Sequence, residues 1–230
     1  GVKQSDTQTL EAQGDGEGLL GDMFCSHLDT GGKRLRARLA LTSAVALGQS
    51  REAALEWAAA VEVMHNATLI HDDIQDGDRL RRGKETTWVR YGKPQAINAG
   101  DLGLMLPFLL VSDIDVDGKT RWVLSRLLAE HAVNTVRGQS FEMELLPNRH
   151  FDRDKYMQCV AGKTGAFFSL PVQGSALLSG ISEEEAMKLG ECFLPLGILF
   201  QLQDDVLDLY GNKGREMPGS DLREGKVSAL

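Results

Sequence analysis

The stretch AALEWAAAVEVMHNATLIHDDIQD, residues 53–76, is apolar on nearly every side up to Ile70 and then turns acidic. Leu55, Trp57, Val61, Val63, Met64, Leu69 and Ile70 leave little face for solvent, so the pattern predicts a helix in the centre of a bundle. A second segment, residues 192–209, repeats the design and ends in the Asp-rich run QDDVLD. Outward from these, helical periodicity covers residues 33–47, 51–76, 95–111, 120–145, 152–179 and 182–210, the last opening on the capping-box run Ser182-Glu183-Glu184-Glu185. No alternating strand-type run competes. Residues 1–22 are polar and Gly-rich and read as a loose arm or a frayed first helix. The expected fold class is all-α, a single domain over residues 1–230.

Composition narrows the function. The chain has 230 residues, 25 Lys+Arg against 33 Asp+Glu, a net charge of −8 and 42% hydrophobic residues. That supports a sizeable core and excludes disordered and fibrous classes. The acidic balance argues against a nucleic-acid partner, which requires a basic surface. The longest aliphatic stretch, residues 102–111, contains a proline and is about half the length of a membrane span, so no membrane insertion is expected. The first residues carry no apolar leader, and a cytoplasmic location is expected. Cys25, Cys159 and Cys192 are scattered in no paired spacing, which fits plain buried thiols.

The acidic ends carry the chemistry. In a helix Asp72 and Asp76 lie at i and i+4, one above the other, and Asp204 and Asp208 repeat that spacing. Two such carboxylates repel unless a cation lies between them. Oxygen ligands without Cys or His suit Mg²⁺, which is commonly held by one or two carboxylates plus phosphate oxygens. Basic residues supply a second half: Lys33 and Arg36 at i, i+3 of a helix start, Arg81-Arg82 just after the first Asp cluster, Lys163-Thr164 inside a helical segment, and Lys226 in a Gly-rich tail. Together they describe a diphosphate site.

The motifs GGKRLRARL, HNATLIHDDIQDGDRLRRGKETT, INAGD, RGQSFEME, GKTGAFFSLP, FQLQDDVLDLYG and SDLREGK occur in that order from about Gly31 onward. In this the chain resembles the trans-isoprenyl diphosphate synthases, the polyprenyl synthetase family. The resemblance implies an isoprenoid-synthase bundle with a deep central cavity. It also implies head-to-tail condensation of isopentenyl diphosphate with an allylic diphosphate, with three Mg²⁺ ions and a homodimer. It makes Asp72, Asp76 and Asp204 the principal metal ligands, with Asp73, Asp205 and Asp208 in support. Arg81, Lys163, Thr164, Gln201 and Lys226 match positions holding the allylic diphosphate or its cation, and Lys163, Thr164 and Gln201 count with Asp72 and Asp204 as catalytic. Lys33, Arg36, His65 and Arg82 match those holding isopentenyl diphosphate. Gln139 and Glu142 resemble a further motif whose acidic residue is usually Asp.

Ala67 and Thr68, the fifth and fourth residues before Asp72, are small where fifteen-carbon synthases often carry an aromatic plug, so a growing chain is expected to reach Met64, Val61 or Phe108. That favours a twenty-carbon product, geranylgeranyl diphosphate, over fifteen-carbon farnesyl diphosphate, with longer chains open. The family usually has another Lys where this chain reads Gly214-Arg215-Glu216-Met217-Pro218, and further helices after the last motif. Residues 95–111 are the expected dimer face. A terpene cyclase, the nearest rival, needs no second diphosphate site. A non-catalytic regulatory subunit tends to lose the Asp motifs, and both are intact here. A plain Ca²⁺-binding helical protein would not need the ordered basic motifs.

Overall fold

The computed structural model describes residues 18–145 and 153–210; the side chains of Leu145, Arg153, Lys155, Gln158, Cys159, Lys163, Asp208 and Leu209 fall outside that description. The elements are α1 (Leu19–Leu28), α2 (Leu35–Ala46), α3 (Leu55–Asp76), a small hairpin of β1 (Leu80–Arg81) and β2 (Lys84–Glu85), α4 (Thr87–Tyr91), α5 (Lys93–Ser112), α6 (Gly118–Leu145), α7 (Arg153–Val160), α8 (Ala166–Leu178), α9 (Glu183–Glu191) and α10 (Leu194–Tyr210). A π turn, Ala161–Gly165, joins α7 to α8. The all-α expectation stands, with the hairpin as the sheet present among the described residues.

Helix α3 is the axis of the core, as its composition demands. It packs against α2, α5 and α8, and Trp57, Ala58, Ala59, Ala60, Val61, Met64, Ala67 and Ile70 are fully buried on it. Glycines set how closely the neighbours approach. A Cβ on Gly103 of α5 would stand 2.9 Å from the Ala67 Cβ, and one on Gly174 of α8 would stand 1.9 Å from Trp57 Cζ2. Both distances lie inside contact, so only hydrogen fits there. The Trp57 indole N–H donates to Pro171 O at 3.1 Å, so the buried ring leaves no polar atom unpaired at that contact.

Several boundaries differ from those expected. Residues 19–22 belong to α1, because Met23, Phe24, His27 and Leu28 form a buried face that holds this helix against α5; residues 1–17 lie outside the described residues. Helix α2 begins only at Leu35. The segment expected as one helix from 182 to 210 is divided at Cys192-Phe193. Pro195 has no N–H for an intrahelical bond and is tolerated only in the first turn of a new helix, which is where it sits in α10. The capping box at Ser182 forms as read, its Oγ accepting from Glu185 N–H at 3.3 Å and donating to Glu185 Oε2 at 2.6 Å.

Helix α10 is not buried all round as expected. It lies against the π turn, α7 and α8 on one side, and Leu196, Leu199, Phe200, Val206 and Leu207 are exposed on it. The thiols differ too: Cys25 is half-buried and Cys192 exposed. Helix α5 runs 20 residues, longer than the apolar run read from sequence, and by length and a mean hydropathy of 1.2 it is a helix that could cross a membrane. Its packing on α3 accounts for that apolarity, with Ala96, Ala99, Gly100, Gly103, Leu106, Pro107, Leu110 and Val111 buried.

Candidate active site

Contacts along α3, α8 and α10 put the chemical groups at one end of the bundle. Trp57 meets α8 at Pro171, and eight residues later the His65 ring meets Phe167 at 5.3 Å between centroids, so α3 and α8 run antiparallel. Asp72 follows two turns further, beyond the start of α8. On the other side α10 passes Gly165 at Gly197 and Thr164 at Gln201, so Asp204 also projects past the π turn. Both Asp-bearing helix ends thus flank residues 161–165.

In each Asp pair the two residues part company. Asp72 and Asp204 are half-buried and Asp76 is exposed, whereas Asp73 and Asp205 are turned inward and are 1% and 6% exposed. Asp73 Oδ1 accepts from Arg81 Nε at 2.8 Å and Nη2 at 2.6 Å. Burial nevertheless raises the Asp73 carboxyl to about 6, against the pull of that hydrogen bond. Its buried Oδ2 has no protein partner. Among the described residues no three carboxylate, imidazole or thiol groups gather at one point. The donor set is therefore paired carboxylates at i, i+4 with a buried oxygen lacking an N–H. Such a set fits a hard divalent cation that takes its remaining ligands from phosphate and water.

The basic half is built by the loop before α2 and by the hairpin. Arg34 adopts φ 48° as the residue preceding α2, so Lys33 stands exposed in the loop and does not share a helical face with Arg36, contrary to the i, i+3 expectation. Glu62, buried on α3, locks this corner. Its Oε2 accepts the Ala37 N–H at 3.2 Å, one of the open donors of the α2 start, and its Oε1 lies 3.5 Å from Arg34 Nη1. Arg36 lies over the Phe167 and Phe168 rings at 5.5 and 5.7 Å, and its buried Nε has no protein partner. Burial lowers its pKa to about 10, so it remains a cation at neutral pH. The His65 imidazole is held neutral by burial first and then by Arg36, Arg81 and Arg82.

Arg82 sits at the hairpin tip with φ 53° and donates to Gly31 O, while Lys84 Nζ donates to Asp29 O at 2.7 Å. Gly32, against which the Arg82 guanidinium lies, has φ 126°, a conformation that favours glycine. Burial lowers the Arg82 pKa, and Arg81 and Arg34 lower it further. Such crowding of cations suits an anion of more than one charge.

Thr164 and Gln201, separate in sequence, meet directly. Thr164 Oγ1 donates to Gln201 Oε1 at 2.9 Å, and Gln201 Nε2 donates to Asp205 Oδ1 at 2.9 Å. The other oxygen of Asp205 accepts from the Tyr156 hydroxyl at 2.6 Å. Burial and then Asp205 push the Tyr156 phenol well above its ordinary value, keeping it a donor. Gln139 and Glu142 are half-buried on α6. Lys226 lies outside the described residues, as do the side chains of Lys163 and Asp208.

Sequence reasoning passed over Glu62 and Tyr156. Glu62 had a signal, a carboxylate in the middle of an apolar helix; Tyr156 had none, because its partner lies 49 residues away. The residues read as setting product length divide in two. Met64 and Ala67 are fully buried, Ala67 against Gly103 and Phe24, so they do not border open space. At about 100° per residue Ala67 points roughly 140° away from Asp72. Thr68 is half-buried and shares the face of His65 and Asp72, its Oγ1 donating to His65 O at 2.8 Å.

Cavities border the described residues at two places away from the Asp-bearing helix ends. One of about 570 Å³ lies between α1, the hairpin and α4, and one of about 450 Å³ lies between α6, the π turn, α8 and the α9–α10 junction. Neither is lined by Asp72, Asp76 or Asp204, so neither is the deep central cavity expected.

Comparison with known proteins agrees with this geometry. The chain is 42% identical over 205 residues to a short chain isoprenyl diphosphate synthase of Methanocaldococcus jannaschii, covering 88% of this chain and 62% of that protein. It is 37% identical over 210 residues to a geranylgeranyl diphosphate synthase of Saccharolobus solfataricus, covering 89% of this chain and 63% of that protein. The chain thus spans less than two thirds of the length of these relatives. Its fold superposes on the crystal structure of a geranylgeranyl pyrophosphate synthetase from Pyrococcus horikoshii with a TM-score of 0.90 at 31% identity, covering 99% of this chain and 69% of that one. The polyprenyl synthetase family model matches residues 17–230. With paired aspartates and crowded guanidinium groups at one end of an all-helical bundle, and a match along nearly its whole length, this chain belongs to the polyprenyl synthetase family.

Proposed function

We propose that the protein is a Mg²⁺-dependent head-to-tail prenyltransferase that condenses isopentenyl diphosphate with an allylic diphosphate and stops at twenty carbons. The observation that carries this reading is the convergence of two different arrays at one end of the bundle, carboxylate pairs that can hold a diphosphate through divalent cations and the guanidinium groups of Arg36 and Arg82 that can hold one directly. A single-diphosphate enzyme needs only one of them.

Divalent metal is the family's means of binding diphosphate. Asp72, Asp76 and Asp204 would hold three Mg²⁺ ions against the allylic diphosphate, where the metal supplies Lewis-acid stabilisation of the leaving group. Arg36, Arg82 and Lys33 bind the second diphosphate, and neutral His65 offers a hydrogen bond without adding charge. The allylic C–O bond breaks and the diphosphate departs. The isopentenyl double bond attacks the allylic carbon, and a proton passes from the new cation to the released diphosphate. Thr164 and Gln201 present oxygen lone pairs and dipoles to the developing cation, which is the electrostatic element of the site.

The deciding experiment incubates the protein with isopentenyl diphosphate and Mg²⁺ plus, separately, dimethylallyl, geranyl and farnesyl diphosphate, and reads chain lengths by mass spectrometry after phosphatase treatment. A twenty-carbon alcohol is expected. Absence of product from every starter overturns the reading.

Product length is assigned to Thr68. Thr68→Phe places a ring one turn beneath Asp72 and is expected to shift the main product to fifteen carbons with turnover retained. Ala67→Phe instead drives a ring into Gly103 and Phe24 and is expected to cost about 1–3 kcal/mol of stability by overpacking. Unchanged products from Thr68→Phe would remove this residue from the role.

The protein is further proposed to be a homodimer through α5. Ile97, Met105 and Leu109 lie on one stripe of that helix and are 45%, 59% and 38% exposed. Sedimentation of Met105→Glu is expected to give a monomer where the parent gives a dimer; a monomeric parent overturns the assignment.

A further inference from the structure

The hydrogen bonds around Asp205 run in one direction. The Tyr156 hydroxyl and Gln201 Nε2 both donate to this carboxylate, at 2.6 and 2.9 Å, and Thr164 Oγ1 donates to Gln201 Oε1 at 2.9 Å. A carboxylate accepts and does not donate, so the amide of Gln201 has one allowed orientation, nitrogen toward Asp205 and oxygen toward Thr164. That in turn commits the only hydroxyl proton of Thr164 to Gln201 and leaves its oxygen lone pairs for the site. Asp205 keeps this arrangement only while its own rotamer is fixed, and a group that holds its second oxygen is the hydroxyl of Tyr156, 3% exposed on α7.

We propose that Tyr156 is a positioning residue. It anchors Asp205, which orients Gln201, which sets the polarity that Thr164 shows to the reacting carbon. The inference rests on the prenyltransfer reading for its kinetic consequence, but the orientation of the amide does not depend on substrate. Freed from Tyr156, Asp205 can rotate, Gln201 can flip its amide, and Thr164 can turn its O–H outward. A donor facing an allylic cation opposes the charge that develops there.

The test is a double-mutant cycle with an activity-free companion. Tyr156→Phe removes one hydroxyl and keeps the ring that fills the core. It is expected to lower kcat/KM for the allylic diphosphate about ten-fold, in line with loss of a hydrogen bond to a charged group, with KM for isopentenyl diphosphate unchanged. In a Gln201→Ala background the same change is expected to do nothing further, because the group through which it acts is gone. A role confined to packing would instead give additive losses, and additivity overturns the proposal. So does a Tyr156→Phe enzyme with parental kcat/KM.

The companion follows the side-chain amide of Gln201 in ¹⁵N-glutamine-labelled protein, assigned by its disappearance in Gln201→Ala. Its two proton shifts are expected to lie away from those of a solvent-exposed glutamine and to exchange slowly with solvent in the parent, and to move to exposed-glutamine values and exchange quickly in Tyr156→Phe. An unchanged signal overturns the proposal even if the protein proves to catalyse no condensation, so failure of this inference is distinct from failure of the functional reading.

Discussion

Replacing Asp72 by Asn is expected to lower kcat/KM for an allylic diphosphate about 10³-fold, equivalent to about 4 kcal/mol of transition-state stabilisation. The substitution keeps shape and hydrogen-bonding capacity and removes the charge. What is lost is attraction for a divalent cation at the point where the leaving diphosphate gains negative charge. Asp204→Asn on the opposite helix end is expected to lose a similar amount. Asp73→Asn is expected to behave differently: its oxygen is spent on Arg81, so the variant weakens the hairpin anchor, and more of its effect falls on KM than on kcat. Steady-state kinetics on all three, with circular dichroism to verify folding, checks this division. Parental turnover in both Asp72→Asn and Asp204→Asn would refute the proposed mechanism.

The largest expected effect on stability is at Trp57. Trp57→Ala is expected to lower the unfolding free energy by about 3–5 kcal/mol, read as a lower urea midpoint at unchanged slope. The ring is fully buried, its N–H is satisfied by Pro171 O at 3.1 Å, and it lies against Gly174 of α8. The cavity cannot close, because α3 is held on its other sides by α2 and α5. Gly174→Ala attacks the same contact from the opposite partner, adding a methyl where 1.9 Å is open, and is expected to destabilise by overpacking. A loss under about 1 kcal/mol for Trp57→Ala would mean that this contact does not organise the core.

The all-helical class was legible because α3 is apolar on every side, a pattern that only a central helix satisfies. The Asp pairs were legible because i, i+4 spacing is a local property. Long-range choices were not. Nothing near Asp205 announces that its partner is Tyr156, and nothing in GGKRLR shows that Arg34 takes a left-handed conformation and leaves Lys33 outside the helix. Ala67 and Thr68 are another such case: they are equally small, but helical phase turns one toward α5 and the other toward the face of Asp72. Charge and spacing identify what a site is made of; which side of a helix meets which neighbour is settled by packing.

The π turn at Ala161–Gly165 has a consequence for how this segment tolerates change in length. A π turn amounts to one residue more than an α-helix would use, so α7 and α8 are out of phase by about 100°. Across this offset Tyr156 meets Asp205 on α10, while Phe167 meets His65 and Arg36, and Phe168 meets both Arg36 and Phe200 of α10. Deleting one residue here would make a more regular helix and a worse site, since Tyr156 on α7 would swing away from Asp205 on α10. The irregular turn serves as a fixed angular gear between two halves of one helical rod, and its value lies in the mismatch it preserves.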